Sequence, residues 1–242
     1  MDPTSQNKRL FPFVWPWKGV NNTNVSLSSL FQLKPFTILY LVTTWLIVAV
    51  LGFASTRARD CGISWEMSIY CEYAFWVKDL TEKPIYLVLR NLITTSFLHN
   101  GLDHILFVSV VGFLLIVQSH EAIFGWKRTA LIFFSSYLTV APFWAGFYTI
   151  GTEIYPGNEF MLFAFKRNWM GGSIGMFQVY GALITQSRRP LVLIAIPVAF
   201  EIINLFLGID LHISLMHWLA VFIGYGMSLY FSRAKRNEIG NS

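Results

Sequence analysis

The sequence predicts an all-α membrane protein: a bundle of six transmembrane helices, the fourth of which is short and begins inside the membrane. Three observations carry this. Of 242 residues, 55% are hydrophobic and only 13% charged, with a mean hydropathy of +0.52; a soluble domain carries about 25% charged residues. The apolar residues gather into six runs, and the connections at 127–128 and 188–189 are basic. The fourth run, which opens on Met170-Gly171-Gly172-Ser173, is too short to cross.

A helix needs about 20 residues to cross about 30 Å of hydrocarbon. The runs fall at roughly 37–55, 92–118, 129–150, 173–187, 190–209 and 212–232, and all but the fourth reach or approach that length. Residues 1–36 read as a cytoplasmic N-terminal segment, 37–232 as the membrane domain with an outer loop at 56–91, and 233–242 as a cytoplasmic tail. The Trp-, Phe- and Pro-rich FPFVWPWKG, residues 11–19, reads as an interfacial anchor rather than a helix. About 35 residues precede the first run, so no cleavable signal peptide is expected.

Orientation follows from the basic residues. With the N-terminus in the cytoplasm, eleven of the 18 Lys and Arg lie inside, among them Lys127, Arg128, Arg188 and Arg189, as the positive-inside rule requires. Both termini are then cytoplasmic, and the loops 56–91 and 151–170 lie outside. The net charge of +5 sits in these orientation signals, so the expected partner is the lipid bilayer and not nucleic acid. Cys61 and Cys71 share the outer loop, where the spacing fits a disulfide or two thiols equally. No Cys/His metal pattern and no phosphate-binding loop occurs, so neither a metal nor a cofactor is expected.

Position converts to depth at 1.5 Å per residue. Ser173 precedes Arg188 by 15 residues, His217 precedes Arg233 by 16, and His104 precedes His120 by 16. All three therefore lie about 22–24 Å above the cytoplasmic surface. Non-helical backbone at that depth must be buried in protein or line a water-filled cavity, so the loop leading to Gly171 and Gly172 dips into a cavity open to the outside. Glycine suits such a turn, and the first amides of the helix it opens have no intrahelical acceptor.

Taken alone, Ser173 beside Gly172 and Gly175 reads as a small-residue contact face between helices, and a single intramembrane His as a hydrogen-bonding partner for a neighbouring helix. Taken together at one depth, the three polar groups are the parts of an acyl-transfer site: a serine nucleophile, a histidine base, and donors for an oxyanion.

These residues resemble the rhomboid family of intramembrane serine proteases over most of 85–232. Residues 89–107, LRNLITTSFLHNGLDHILF, are similar to the family's second segment, with Arg90-x-x-x-Thr94 and paired histidines. Glu121 and Gly125 resemble its Glu-x-x-x-Gly. Gly171-Gly172-Ser173 is similar to its Gly-x-Ser motif, and His217 with Ala220 and Gly224 to its last helix.

The resemblance implies an endopeptidase that cleaves transmembrane segments of single-pass or multi-pass membrane proteins. Its catalytic pair is a Ser173–His217 dyad with no Asp, and His104 and the Ser173 backbone amide form its oxyanion hole. Phe177 would stack on the base, Gly171 and Gly172 would form the turn, and His99 would lie nearer the outer rim. The fifth segment would be the substrate gate, and the expected location is the plasma membrane of a bacterium. Two positions depart from the family: Ile174 stands where the motif has a second Gly, and Val108 where an Asn follows the oxyanion His. They define the alternative, a rhomboid-like pseudoprotease that binds membrane clients without cutting them.

Glu201 and Asn204 lie in the fifth run, near mid-depth. The acid reads either as part of the gate or substrate path, or as an interhelical hydrogen-bond partner. Asp210 and His212 fall at the outer end, His212 facing solvent. Trp15, Trp17, Trp65, Trp76 and Trp126 fit interfacial belts.

Overall fold

The structure, a computed structural model, describes residues 10–19, 23–54, 61–208 and 210–240, with only the backbone for Leu27 and 233–240. Residues 1–9 of the expected N-terminal segment, 56–60 of the expected outer loop and 241–242 of the expected tail lie outside the described residues.

Local chemistry starts each element. Helix α1 (Leu27–Leu33) is capped by Ser26, whose hydroxyl accepts the Ser29 amide. Helix α2 (Pro35–Leu51) begins on a proline, whose missing N–H needs no acceptor there. The next two amides, of Phe36 and Thr37, donate to the Glu121 carboxylate at 2.8 and 2.9 Å, and the Thr37 hydroxyl adds a third bond at 2.7 Å. An anion at a helix N-terminus also opposes the helix dipole.

Segment 11–19 is not helical, as expected. The Lys34 ammonium donates to the carbonyls of Trp15, Pro16 and Lys18 and to the Gln118 side chain. Burial pushes that ammonium below its usual range, opposed by the charge of Glu121. The Val14 amide donates to Ser119, which ties the segment to the bundle.

Helix α3 (Trp65–Tyr73) is capped by Ser64 and held by a Cys61–Cys71 disulfide, which settles the alternative left open by spacing. Burial pushes the Tyr70 phenol up to about 12, and its hydroxyl donates to the Gly52 carbonyl. Strand β1 (Phe75–Trp76) pairs antiparallel with β2 (Asn168–Trp169), a two-residue ribbon in an otherwise helical fold. Trp76 is therefore buried in the ribbon, not set in an interfacial belt. Trp15, Trp17, Trp65 and Trp126 are exposed.

The expected second span is not one helix. Helix α4 (Asp79–Glu82) leads into α5 (Ile85–Thr94), where Thr94 donates to the Tyr73 carbonyl and Arg90 to that of Glu72, fastening α3. A 3₁₀ turn at Thr95–Phe97 follows, and the chain breaks at Asn100-Gly101. Helix resumes in α6 (Leu102–Phe107), passes through a π-helical stretch at Val108–Val117 and ends in α7 (Gln118–Phe124). The break has a physical cause: the Thr95 carbonyl accepts from the Gly171 amide and the Ser96 carbonyl accepts from Tyr40, so both serve other parts of the chain. Asn-Gly is in addition a turn former.

Helix α8 (Trp126–Ile154) follows Gly125, whose φ of 83° only glycine adopts readily. Then come α9 (Glu159–Phe165), α10 (Ser173–Ile184), α11 (Pro190–Phe206) and α12 (Leu211–Gly240). Among the described residues, three helical stretches are long and apolar enough to cross a membrane: Leu102–Phe124, Trp126–Ile154 and Leu211–Ser232. Leu39, Leu131, Phe143, Leu191 and Phe206 face outward. Long apolar helices with an apolar exterior make this an all-α membrane protein. The first and fifth expected runs appear as 17-residue helices and the fourth as a 12-residue helix.

Helix α10 is the axis of the bundle, and every one of its residues is buried. Glycines allow its neighbours to approach. A Cβ on Gly181 would lie 2.0 Å from the Val221 carbonyl oxygen of α12, and one on Gly224 of α12 would lie 1.8 Å from the Gln178 carbonyl oxygen. Gly175 meets the ring of Phe133 on α8, and Gly112 meets Met176. Small residues are what bring helix backbones this close.

Candidate active site

The turn before α10 is fixed on both sides. The Gly171 amide donates to the Thr95 carbonyl at 2.9 Å, and its carbonyl accepts from Tyr137 at 2.7 Å. Gly171 has φ 97°, and a Cβ there would lie 2.1 Å from the His104 ring. A Cβ on Gly172 would meet Tyr40 at 2.2 Å and Val108 at 3.1 Å. Both glycines are thus required by space, and the first also by conformation. Ser173 is the first residue of α10, where the amides have no intrahelical acceptor.

This turn carries Ser173 to α12. The Ser173 Oγ lies 3.0 Å from His217 Nε2. The ring of Phe177, one turn along α10, stacks on the imidazole with centroids 4.2 Å apart. On the far side, His217 Nδ1 lies 2.6 Å from Glu201 Oε1, and Glu201 Oε2 accepts from Ser214 Oγ at 2.6 Å. A carboxylate against Nδ1 holds the proton on that nitrogen and leaves the Nε2 lone pair for the serine hydroxyl. Ser173 and His217 are each 7% exposed and Glu201 is fully buried.

The pair opens onto a cavity of about 520 Å³ lined also by His104, Asn100, Ile174 and Asn204. His104 Nδ1 lies 3.1 Å from the Asn100 side-chain oxygen. In that orientation Nδ1–H donates to Asn100 and Nε2 carries the lone pair; only with the amide turned so that its NH₂ faces Nδ1 does the proton sit on Nε2, free to donate. Val108 is buried against Gly172 and offers no donor, and Ile174 adds apolar surface to the cavity wall. The glycine missing at 174 is present one position later, where Gly175 admits Phe133.

Ser173, His104 and His217, placed at one depth by counting, do line one cavity. One histidine lies elsewhere than expected, His212. His99 is fully buried; its ring lies 4.9 Å from that of His104, and neither nitrogen has a hydrogen-bond partner among the described residues. His212 does not face solvent; it is 1% exposed and packs edge-on against Tyr148 and Phe163. Above it, Asp210 pairs with Arg167, bridging the chain after α9 to the start of α12.

The expected two-residue arrangement is extended by Glu201. Depth counting placed this acid about 6–8 Å below the histidine, which favoured no particular partner. The long Glu side chain and the packing of α11 on α12 close that gap. The signal available in the sequence was the acid itself, since a carboxylate in an apolar run needs a partner.

Comparison of the chain with family models, with curated proteins and with solved structures gives no match. The functional reading therefore rests on the residues and their geometry.

Proposed function

We propose that the protein is an intramembrane serine endopeptidase of the rhomboid type, cleaving transmembrane segments of membrane proteins. The observation that carries the reading is Ser173 Oγ at 3.0 Å from His217 Nε2, at the start of a buried short helix and at the wall of a cavity. Support for six spans comes from the alternation of apolar helices with basic connections, and support for cytoplasmic termini from the excess of Lys and Arg on that side. The proposed setting is the plasma membrane of a bacterium, with α10 starting inside the bilayer.

In the proposed reaction His217 takes the Ser173 proton as the oxygen attacks a peptide carbonyl. The resulting oxyanion is held by the Ser173 amide and by His104, when Asn100 leaves the proton on its Nε2. Collapse breaks the C–N bond, and His217 gives its proton to the departing amine. Water, deprotonated by His217, then attacks the acyl-serine and releases the acid product and the free hydroxyl. Phe177 limits rotation of the imidazole during these transfers. Helix α11 presents one buried face, with partly buried flanks and an exposed opposite face, which suits the role of a gate.

Apolar Val108 and Ile174 at the oxyanion end favour a second reading, a pseudoprotease that binds membrane clients. Proteoliposomes with tagged single-span proteins that carry Gly or Pro near one end of the span separate the two. The protease reading expects cleavage by wild type and none by Ser173→Ala. Equal cleavage by both proteins sinks it. Client capture by both, with no cleavage by either, supports the second reading.

A further inference from the structure

We infer that Glu201 is the positioning residue of the His217 base, and that the resulting Ser173–His217–Glu201 relay is assembled only while α11 is docked on α12. The inference rests on the hydrolase reading and deepens it.

A buried carboxylate in an apolar helix is costly unless each oxygen is satisfied. Both oxygens of Glu201 are satisfied, and both by α12: one by Ser214 and the other by His217. Fastening α11 to α12 would need only Ser214, or any other hydroxyl. The second bond instead falls on Nδ1 of the imidazole whose Nε2 faces Ser173. In that position a carboxylate fixes the tautomer, aims the ring and stabilises the imidazolium that forms when the serine proton is taken. Phe177 restrains the face of the ring and Glu201 restrains its edge. Together they leave one orientation, the one that meets the serine.

The placement of Glu201 on α11 adds the second half of the inference. The buried side chains of α11 are Leu193, Pro197, Glu201 and Asn204, a single face, of which Glu201 is the one ionisable member. The opposite face, with Leu191, Ile196, Ile203 and Phe206, is exposed. Moving α11 sideways draws the carboxylate off His217 while Ser173 and His217 stay on α10 and α12, which their glycines hold together. The hydrolytic site is then armed by the docked position of α11.

The experiment uses the full chain in detergent and a fluorophosphonate probe. Labelling forms the Ser173 O–P bond, breaks P–F and sends the hydroxyl proton to His217, with fluoride leaving. Its rate is resolved into a maximal rate and a probe affinity. With Glu201→Gln, which keeps the size and the hydrogen-bonding capacity of the side chain, the maximal rate is expected to fall about 10²–10⁴-fold, as for amide replacement of a triad carboxylate. Probe affinity and Tm should stay close to wild type, Glu201→Asp should recover part of the rate, and Ser214→Ala should stay within about tenfold of wild type. A Glu201→Gln rate within threefold of wild type overturns the relay while labelling of wild type but not of Ser173→Ala keeps the hydrolase reading. Failure of wild type itself to label sinks the hydrolase reading instead. If Glu201→Gln does not fold, the wild-type His217 Nδ1 proton, assigned with His217→Ala, decides. A strongly deshielded resonance supports the carboxylate contact, and an ordinary imidazole N–H resonance overturns it.

Discussion

Placing one methyl group between α10 and α12 tests whether their close contact creates the Ser173–His217 pair. In Gly224→Ala the new Cβ would sit 1.8 Å from the Gln178 carbonyl oxygen and 3.1 Å from the Ala182 amide nitrogen. These are backbone atoms, so no side chain can swing aside. Restoring a separation of at least 3.0 Å requires the helices to part by about 1.2 Å. The same movement stretches the 3.0 Å bond between Ser173 and His217 beyond hydrogen-bond range. A misplacement of about 1 Å can lower a reaction rate about 10²-fold, and overpacking a core of this kind costs about 1–3 kcal/mol. Gly226→Ala is the control on the same helix, two residues away, because a Cβ there meets nothing within 4 Å. That change should leave labelling unaltered and, by helix propensity, leave stability equal or higher by up to about 1 kcal/mol. The assay is fluorophosphonate labelling together with thermal unfolding in detergent. Wild-type rate and Tm in Gly224→Ala would refute the reasoning, since the helices would then be free to separate without loss.

Two further outcomes follow from the site and its surroundings. Asn100→Asp places a carboxylate against His104 Nδ1, fixes the proton there and removes the Nε2–H donor; labelling should fall about 10²–10³-fold if that donor holds the oxyanion, with Tm little changed, and an unchanged rate removes His104 from that role. Reduction of the Cys61–Cys71 disulfide, which closes a ten-residue separation, should destabilise α3 by about 2–3 kcal/mol by the loop-entropy relation; hydrogen exchange over Trp65–Tyr73 should rise while labelling stays within threefold of the oxidised protein.

The sequence made legible what depends on composition and on counting along a helix. Apolar runs and basic connections revealed a membrane bundle. The short distance from Ser173 to Arg188 pointed to a short fourth helix, and the structure makes α10 the shortest of the apolar runs marked in the sequence. Ser173, His104 and His217, grouped by counting, line one cavity, although the π-helical stretch at Val108–Val117 departs from the constant α-helical rise on which the count for His104 relied.

What was not legible depends on side chains reaching across the bundle. Counting along α11 could not pair Glu201 with His217, since a depth says nothing of which face meets which neighbour. The second run looks continuous because 98–101 is partly apolar, yet the Thr95 and Ser96 carbonyls accept from Gly171 and Tyr40 instead of continuing the helix. A place near a helix end suggests solvent for His212, while the ring cluster of Tyr148 and Phe163 covers it. Residue type suggests an interfacial place for Trp76, whereas the β1–β2 pairing buries it.

The central claim is that Ser173 is a nucleophile activated by His217. The most direct measurement is peptide mapping by mass spectrometry after fluorophosphonate treatment of wild type, Ser173→Ala and His217→Ala, each confirmed folded by its Tm. The account expects one phosphonyl group on wild type, located on Ser173, and none on either variant. An unlabelled wild type, or equal labelling of Ser173→Ala, would contradict it.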